Sequence, residues 1–154
     1  MSRIRIDKDK AELVKALTVG EDGKTGTFQT FADAIVFAAA LGAKRGRRSP
    51  LKETSREPSP ISSEVFISRG YDCVLKLLAV TETGNTQILA QMNSEAESDR
   101  VHIFEEYANG GLEILREELR GSVDYTDRIL LILMGERTAS EQPEKEFDLS
   151  RFLS

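Results

Sequence analysis

The stretch that most limits how this chain can fold runs from Thr27 to Arg48. An apolar segment, Phe28 to Leu41, ends at Gly42 and passes straight into the cations Lys44-Arg45-Gly46-Arg47-Arg48. Thr30 suits a helix N-cap, Asp33 its first turn and Gly42 its end, so Phe31 to Leu41 reads as one helix of about three turns. Its many alanines raise helix propensity and leave a slim surface that other helices can approach closely. A core element is thereby joined directly to the most concentrated surface charge in the chain.

The remaining pattern is mainly helical. Arg3-Ile4-Arg5-Ile6-Asp7 alternates charged and apolar residues, as a short strand would, with Ile4 and Ile6 inward and Arg3 and Arg5 outward. Asp7 or Asp9 then caps a helix through about Leu17, with Leu13, Val14 and Leu17 on one face. Three of the four prolines, Pro50, Pro58 and Pro60, fall between Ser49 and Ser63, which reads as a mobile loop. A helical pattern starts at Ser62 or Ser63, is interrupted at Gly70, and resumes from Tyr71 to Thr81 with an apolar density that predicts a buried helix. Thr83-Gly84-Asn85 is a turn.

From Glu95 to Arg120, Val101, Phe104, Ala108, Leu112, Leu115 and Leu119 recur at helical spacing. Asn109-Gly110-Gly111 sits inside that pattern, and two adjacent glycines predict a kink or break there. Asp124 caps a last helix, Tyr125 to Met134. The reading is therefore one mainly α-helical domain, residues 1–135, with a short N-terminal β-strand and a flexible acidic C-terminal tail, 136–154. Near the end of that tail, Phe147, Leu149, Phe152 and Leu153 are placed as a short partner-docking segment would place them.

Charge and cysteine content narrow the function classes. The net charge of -5 argues against bulk affinity for nucleic acid, yet residues 1–56 carry 12 Lys/Arg against 7 Asp/Glu and residues 91–154 carry 7 against 15. That asymmetry leaves room for an anionic ligand at one end, and for self-association or a basic partner at the other. The single cysteine, Cys73, permits no intrachain disulfide, and the sequence has neither a secretory h-region nor a membrane-length apolar run. A soluble, cytoplasmic protein is expected.

Catalytic chemistry is hard to assemble from these residues. Gly20-Glu21-Asp22-Gly23-Lys24-Thr25 contains Gly-Lys-Thr, but Thr18 stands where a phosphate-binding loop needs its first glycine, so an ordinary turn is the better reading. His102, the sole histidine, has Asp99, Glu105 and Glu106 within helical reach; one histidine is too few for a dinuclear carboxylate or zinc site. Cys73 lies in an apolar helix with no histidine nearby in sequence and reads as a buried structural thiol. The adjacent pairs Glu105-Glu106 and Glu117-Glu118 diverge around a helix, which makes them solvated faces. No cofactor, no metal and no enzymatic activity are expected.

The cationic cluster is the strongest surface feature. Lys44, Arg45, Arg47 and Arg48 could grip consecutive phosphates of a nucleic acid, with Arg3 and Arg5 adding to the same surface. The bland reading is a solvated helix flank that complements the helix dipole. A strand followed by two helices is also similar in order to a ribbon-helix-helix DNA-binding module, although the long Thr18 to Thr27 loop weakens that analogy.

Phe31 to Gly42, the cations Lys44 to Arg48, and Phe104-Glu105-Glu106-Tyr107-Ala108-Asn109-Gly110-Gly111-Leu112 together resemble the small DNA phosphorothioation-associated protein 4 family, encoded beside the Dnd systems that place sulfur in the DNA backbone. The resemblance covers most of the chain up to about Met134, and its motifs are not catalytic signatures. It implies a bacterial accessory protein of a DNA modification, restriction and antiphage-defence system. The expected partners are DNA, phosphorothioated or plain, and other Dnd proteins. An adaptor that docks a larger Dnd component through its acidic helices and tail is the alternative.

Overall fold

Thr30 opens the central helix with an extended backbone (φ −135°, ψ 161°), and its hydroxyl accepts the Asp33 N–H at 3.2 Å, which satisfies one of the otherwise orphaned donors of the first turn. The computed structural model of the chain describes residues 2–18 and 26–141. The helix that Thr30 starts, α2 (Phe31–Lys44), runs past Gly42 to Lys44, and Gly46 (φ +67°) makes the left-handed turn after it. Gly42 is needed inside the helix: a Cβ there would stand 2.2 Å from the Tyr107 carbonyl oxygen.

That carbonyl belongs to the longest helix, α5 (Ser94–Leu119), whose N-cap Asn93 accepts the N–H groups of Glu95 and Ala96 at 3.1 Å each. The expected break at Asn109-Gly110-Gly111 does not occur, and α5 is continuous through it. A Cβ on Gly111 would lie 1.6 Å from the Ala38 oxygen, and one on Gly110 would lie 2.1 Å from the Arg47 oxygen. Gly111 lets the α2 and α5 backbones meet and Gly110 seats the segment after α2, and the packing gained there offsets their poor helix propensity. Around this crossing Ala34, Ile35, Ala38, Ala39, Phe104, Leu112 and Leu115 are buried.

Within residues 1–120 the other elements close over the α2–α5 pair. Strand β1 (Arg3–Ile4) pairs antiparallel with β2 (Ile61–Ser62), in register Arg3 with Ser62 and Ile4 with Ile61. Ile4 and Ile6 are buried while Arg3 and Arg5 are exposed, as the alternation requires. Helix α1 (Ala11–Thr18) follows one 3-10 turn, Lys8–Lys10, and buries Val14 and Leu17. The segment 49–63, expected to be a mobile loop, is laid along the N-terminal stretch. Lys8 N donates to the Glu53 oxygen at 2.7 Å, Ser55 N to the Ile6 oxygen at 2.8 Å, and Lys52 N to Asp7 Oδ2 at 2.9 Å.

Helix α3 (Ser63–Ser68) buries Phe66, edge-on to Phe104 with ring centroids 5.6 Å apart. Helix α4 (Asp72–Thr83) ends at Gly84 in the left-handed region. It is not the buried helix that its apolar density suggested: only Leu75 and Ala79 are buried, Leu77 is 66% exposed, and Cys73, expected inside, is exposed. A short 3-10 turn, Thr86–Leu89, then brings Ile88 against Ala79 and Ile103.

By its internal contacts the chain divides into two units, Met1–Arg120 and Gly121–Ser154, whereas the sequence suggested a boundary at 135. The second unit is described as helix α6 (Tyr125–Glu141), which continues seven residues past Met134. Asp124 caps it as expected, with Oδ1 accepting the Asp127 N–H at 3.2 Å. No helix among the described residues is long and apolar enough to cross a membrane.

Candidate interaction site

The cationic segment is built as a strap leading from the end of α2 across α5. Its backbone is held by Arg47 N on the Gly42 oxygen at 2.8 Å and Ser49 N on the Glu106 oxygen at 3.0 Å, while Asn109 Nδ2 donates to the Ser49 and Pro50 oxygens at 3.2 Å each. The Arg47 carbonyl rests against Gly110. Three of the four expected phosphate ligands consequently point at carboxylates of α5.

Arg48 makes the densest set of contacts. Its Nη2 and Nε meet Glu106 Oε1 at 2.7 and 2.9 Å, its Nη1 meets Glu82 Oε1 at 2.7 Å, and its guanidinium lies over the Tyr107 ring, 5.9 Å from the centroid. Tyr107 in turn donates its hydroxyl hydrogen to Glu82, and His102 Nε2 lies 3.1 Å from Glu106 Oε1. Arg45 Nη1 reaches Glu118 and Arg47 Nη1 reaches Glu117, each at 3.2 Å. Lys44 is exposed at the end of α2.

The expected DNA contacts on the first strand separate. Arg5 turns to α5, with its backbone N, Nε and Nη2 on the Glu105 carboxylate at 2.6, 3.0 and 3.1 Å; Arg3 stays exposed beside β2. β1 is already paired within its own chain, which leaves the ribbon-helix-helix analogy without the intersubunit strand pair that module uses. Phe147, Leu149, Phe152 and Leu153, and the Gly20 to Thr25 turn, lie outside the described residues.

These contacts also correct the reading of Glu105 and Glu106 as a solvated face. They are 3% and 7% exposed, and the Arg5 and Arg48 side chains hold them, Arg5 on Glu105 and Arg48 on Glu106. Lys10 completes the buried charge: 1% exposed, its Nζ meets Asp9 Oδ1 at 2.9 Å, Asn109 Oδ1 at 3.1 Å and Glu113 Oε1 at 3.8 Å. The sequence reading assigns no role to Lys10 or Glu82, and it takes Tyr107 and Asn109 only as parts of longer motifs. The signal for them was the charge asymmetry itself, since a cationic N-terminal third can neutralise an acidic helix of the same chain.

The titration behaviour follows from these neighbours. The hydroxyl of Tyr107 and the Arg48 guanidinium hold Glu82 below its ordinary range, and the Glu82 hydrogen bond raises Tyr107. Burial alone would lower Arg48, but its bonds to Glu106 and Glu82 outweigh that and raise it. Arg5 is raised by its hydrogen bonds to Glu105. Beside the N-terminus of α5 opens a polar cleft of about 370 Å³, lined in part by Thr83, Asn85, Asn93, Glu95 and Asp99. Among the described residues no group of three His, Cys, Asp or Glu side chains could hold a metal ion.

Fold and site together define a small, mainly helical protein whose surface arginines are braced by carboxylates of its own longest helix. The chain belongs to the DNA sulphur modification system-associated protein 4 family, whose model matches residues 3–152. Comparisons with curated proteins and with solved structures returned no match. The protein is therefore associated with a DNA sulphur modification (Dnd) system.

Proposed function

We propose that this chain is a non-enzymatic accessory protein that binds another protein component of the Dnd system. The observation that carries this reading is the neutralised strap. Arg45, Arg47 and Arg48 each hold a carboxylate at 2.7 to 3.2 Å, so an incoming phosphate has to displace Glu118, Glu117 or the Glu106–Glu82 pair. A surface with cations and carboxylates interleaved favours a partner of mixed charge over a polyanion. The exposed acids around the α5 cleft, Glu95 and Asp99, and the segment carrying Phe147, Leu149, Phe152 and Leu153 are the docking elements. The test is co-purification and calorimetry of the full chain with each other protein of its Dnd system. A stoichiometric complex that weakens on deletion of 142–154 is expected; no complex with any of them overturns the reading.

DNA contact through Lys44, Arg45, Arg47 and Arg48 is the second reading, and the exposure of the outer pairs favours it. Arg47 and Glu117 are 39% and 62% exposed, and such pairs contribute about 1 kcal/mol or less, so a phosphodiester can exchange for the carboxylate. Fluorescence anisotropy with plain and phosphorothioated duplexes, titrated from low to physiological salt, separates the two. Salt-sensitive binding that is lost when the four cations become alanine establishes DNA contact. No binding at low salt leaves the protein-binding role alone.

A further inference from the structure

In α6, six consecutive residues, Ile129-Leu130-Leu131-Ile132-Leu133-Met134, are apolar. At 3.6 residues per turn such a run covers the full circumference of a helix, so a single packing partner leaves apolar surface on the far side. Leu130, Leu131, Leu133 and Met134 are exposed by 55%, 56%, 48% and 56%. Isolated exposed leucines are ordinary, but four contiguous on one helix mark an interaction surface.

The residues flanking this patch identify what fits it. Asp127, Leu130, Met134 and Arg137 follow one another at spacings of three, four and three, the a/d spacing of a helix–helix seam. The sequence is also self-complementary about Ile132. In an antiparallel pair centred there, Leu130 faces Met134, with Leu131 and Leu133 on the two flanks of the seam. Asp127 then meets Arg137, a pair that occurs twice about the dyad. This is the isologous pattern of a two-fold dimer, in which residue i meets j and j meets i.

We propose that α6 is a homodimerisation element, with a second copy of this chain docked antiparallel along the Asp127–Leu130–Met134–Arg137 seam. Arg137 already has an interaction within its own chain, so the exchange across the dyad supplies register more than affinity. Four apolar side chains from each copy make a small interface, at the weak end of specific association. The dimer is accordingly expected in the micromolar range.

Light scattering and sedimentation equilibrium of the full chain, from low micromolar to hundreds of micromolar, test this. A concentration-dependent shift from the 17.1 kDa monomer to twice that mass is expected. The variant Leu130→Glu/Met134→Glu should remain monomeric throughout, with circular dichroism verifying that helicity is kept. Asp127→Arg alone and Arg137→Asp alone should each weaken the dimer several-fold, and the two together in one chain should restore it, because the reversed charges again meet across the dyad. A wild-type chain that stays monomeric at the highest concentration overturns the proposal and assigns the patch to the segment 142–154 or to another protein. Dimerisation unchanged by the double glutamate, or no rescue by the charge exchange, overturns it as well.

Discussion

At Gly111 the side chain is absent because the Ala38 carbonyl occupies its place. In an open helix Gly→Ala stabilises by roughly 0.5–1 kcal/mol. Gly111→Ala, whose Cβ would come within 1.6 Å of a backbone oxygen, is expected to destabilise by about 3 kcal/mol or more through forced separation of α2 and α5. Gly135 in α6 has nothing within 4 Å of its Cβ position, so Gly135→Ala should instead stabilise by up to about 1 kcal/mol. Urea unfolding of the two variants checks the contrast, and equal effects of the same sign would count against the packing account. Lys10 is the second residue whose role is set by its surroundings. Lys10→Ala removes the cation from a buried site and is expected to cost about 3 kcal/mol, while Lys10→Met keeps the packing of the stem and should cost about half as much.

Among the elements, the strap after α2 holds the crossing together as much as it presents charge. Arg48 links α4, through Glu82, to α5, through Glu106, and its loss strips the 7%-exposed Glu106 of its guanidinium partner. Arg48→Met is expected to cost about 1–2 kcal/mol, since hydrogen bonds to charged groups are strong but this arginine is partly solvated. A double-mutant cycle with Glu106→Gln should show a coupling of the order of 1 kcal/mol, and additive effects would mean that the pair is not energetically linked. The segment 49–63 belongs to the same logic. Its prolines and serines look like a linker, yet its backbone bonds to Ile6, Asp7 and Lys8 make it a structural partner of the N-terminal stretch.

For the molecule as a whole, the folded-state titrations predict stability on both sides of neutrality. Glu82 and Asp33 are held low. For Glu82 the Tyr107 and Arg48 bonds do this; for Asp33, burial pushes upward but bonds from Tyr71, Arg69 and Thr30 outweigh it. A carboxylate depressed in the folded state contributes stability above its unfolded value, near 4, and loses it as pH falls through the folded value. Tyr107 and Tyr71 are raised, each chiefly by the carboxylate that accepts its hydrogen bond. Their contribution is complete below about pH 10 and is lost as pH rises through the folded value. Thermal melting should therefore be flat between about pH 5 and 9 and decline on both flanks. Glu82→Gln should shrink the acid-side decline, and an acid flank identical to wild type would remove Glu82 from the account.

Helices could be read from the sequence because their signals are local. The Thr30 cap, the Asp124 cap and the 3.6-residue spacing of Val101, Phe104, Ala108, Leu112, Leu115 and Leu119 act over one or two turns of the chain itself. The family was legible too: the resemblance read from Phe31 to Arg48 and Phe104 to Leu112 agrees with the family model that matches residues 3–152. What each glycine and charge does was not legible, since it depends on atoms far away in sequence. Gly110-Gly111 reads as a break in sequence, yet Ala38 and Arg47 lie against it, and Glu105-Glu106 reads as solvated, yet Arg5 and Arg48 cover it. Local hydrogen bonding and periodicity thus determined the helical elements and the inventory of charge. Only the tertiary structure decided that the charges pair within the molecule, because electrostatic energy and steric fit depend on distance through space, which residue order alone does not specify.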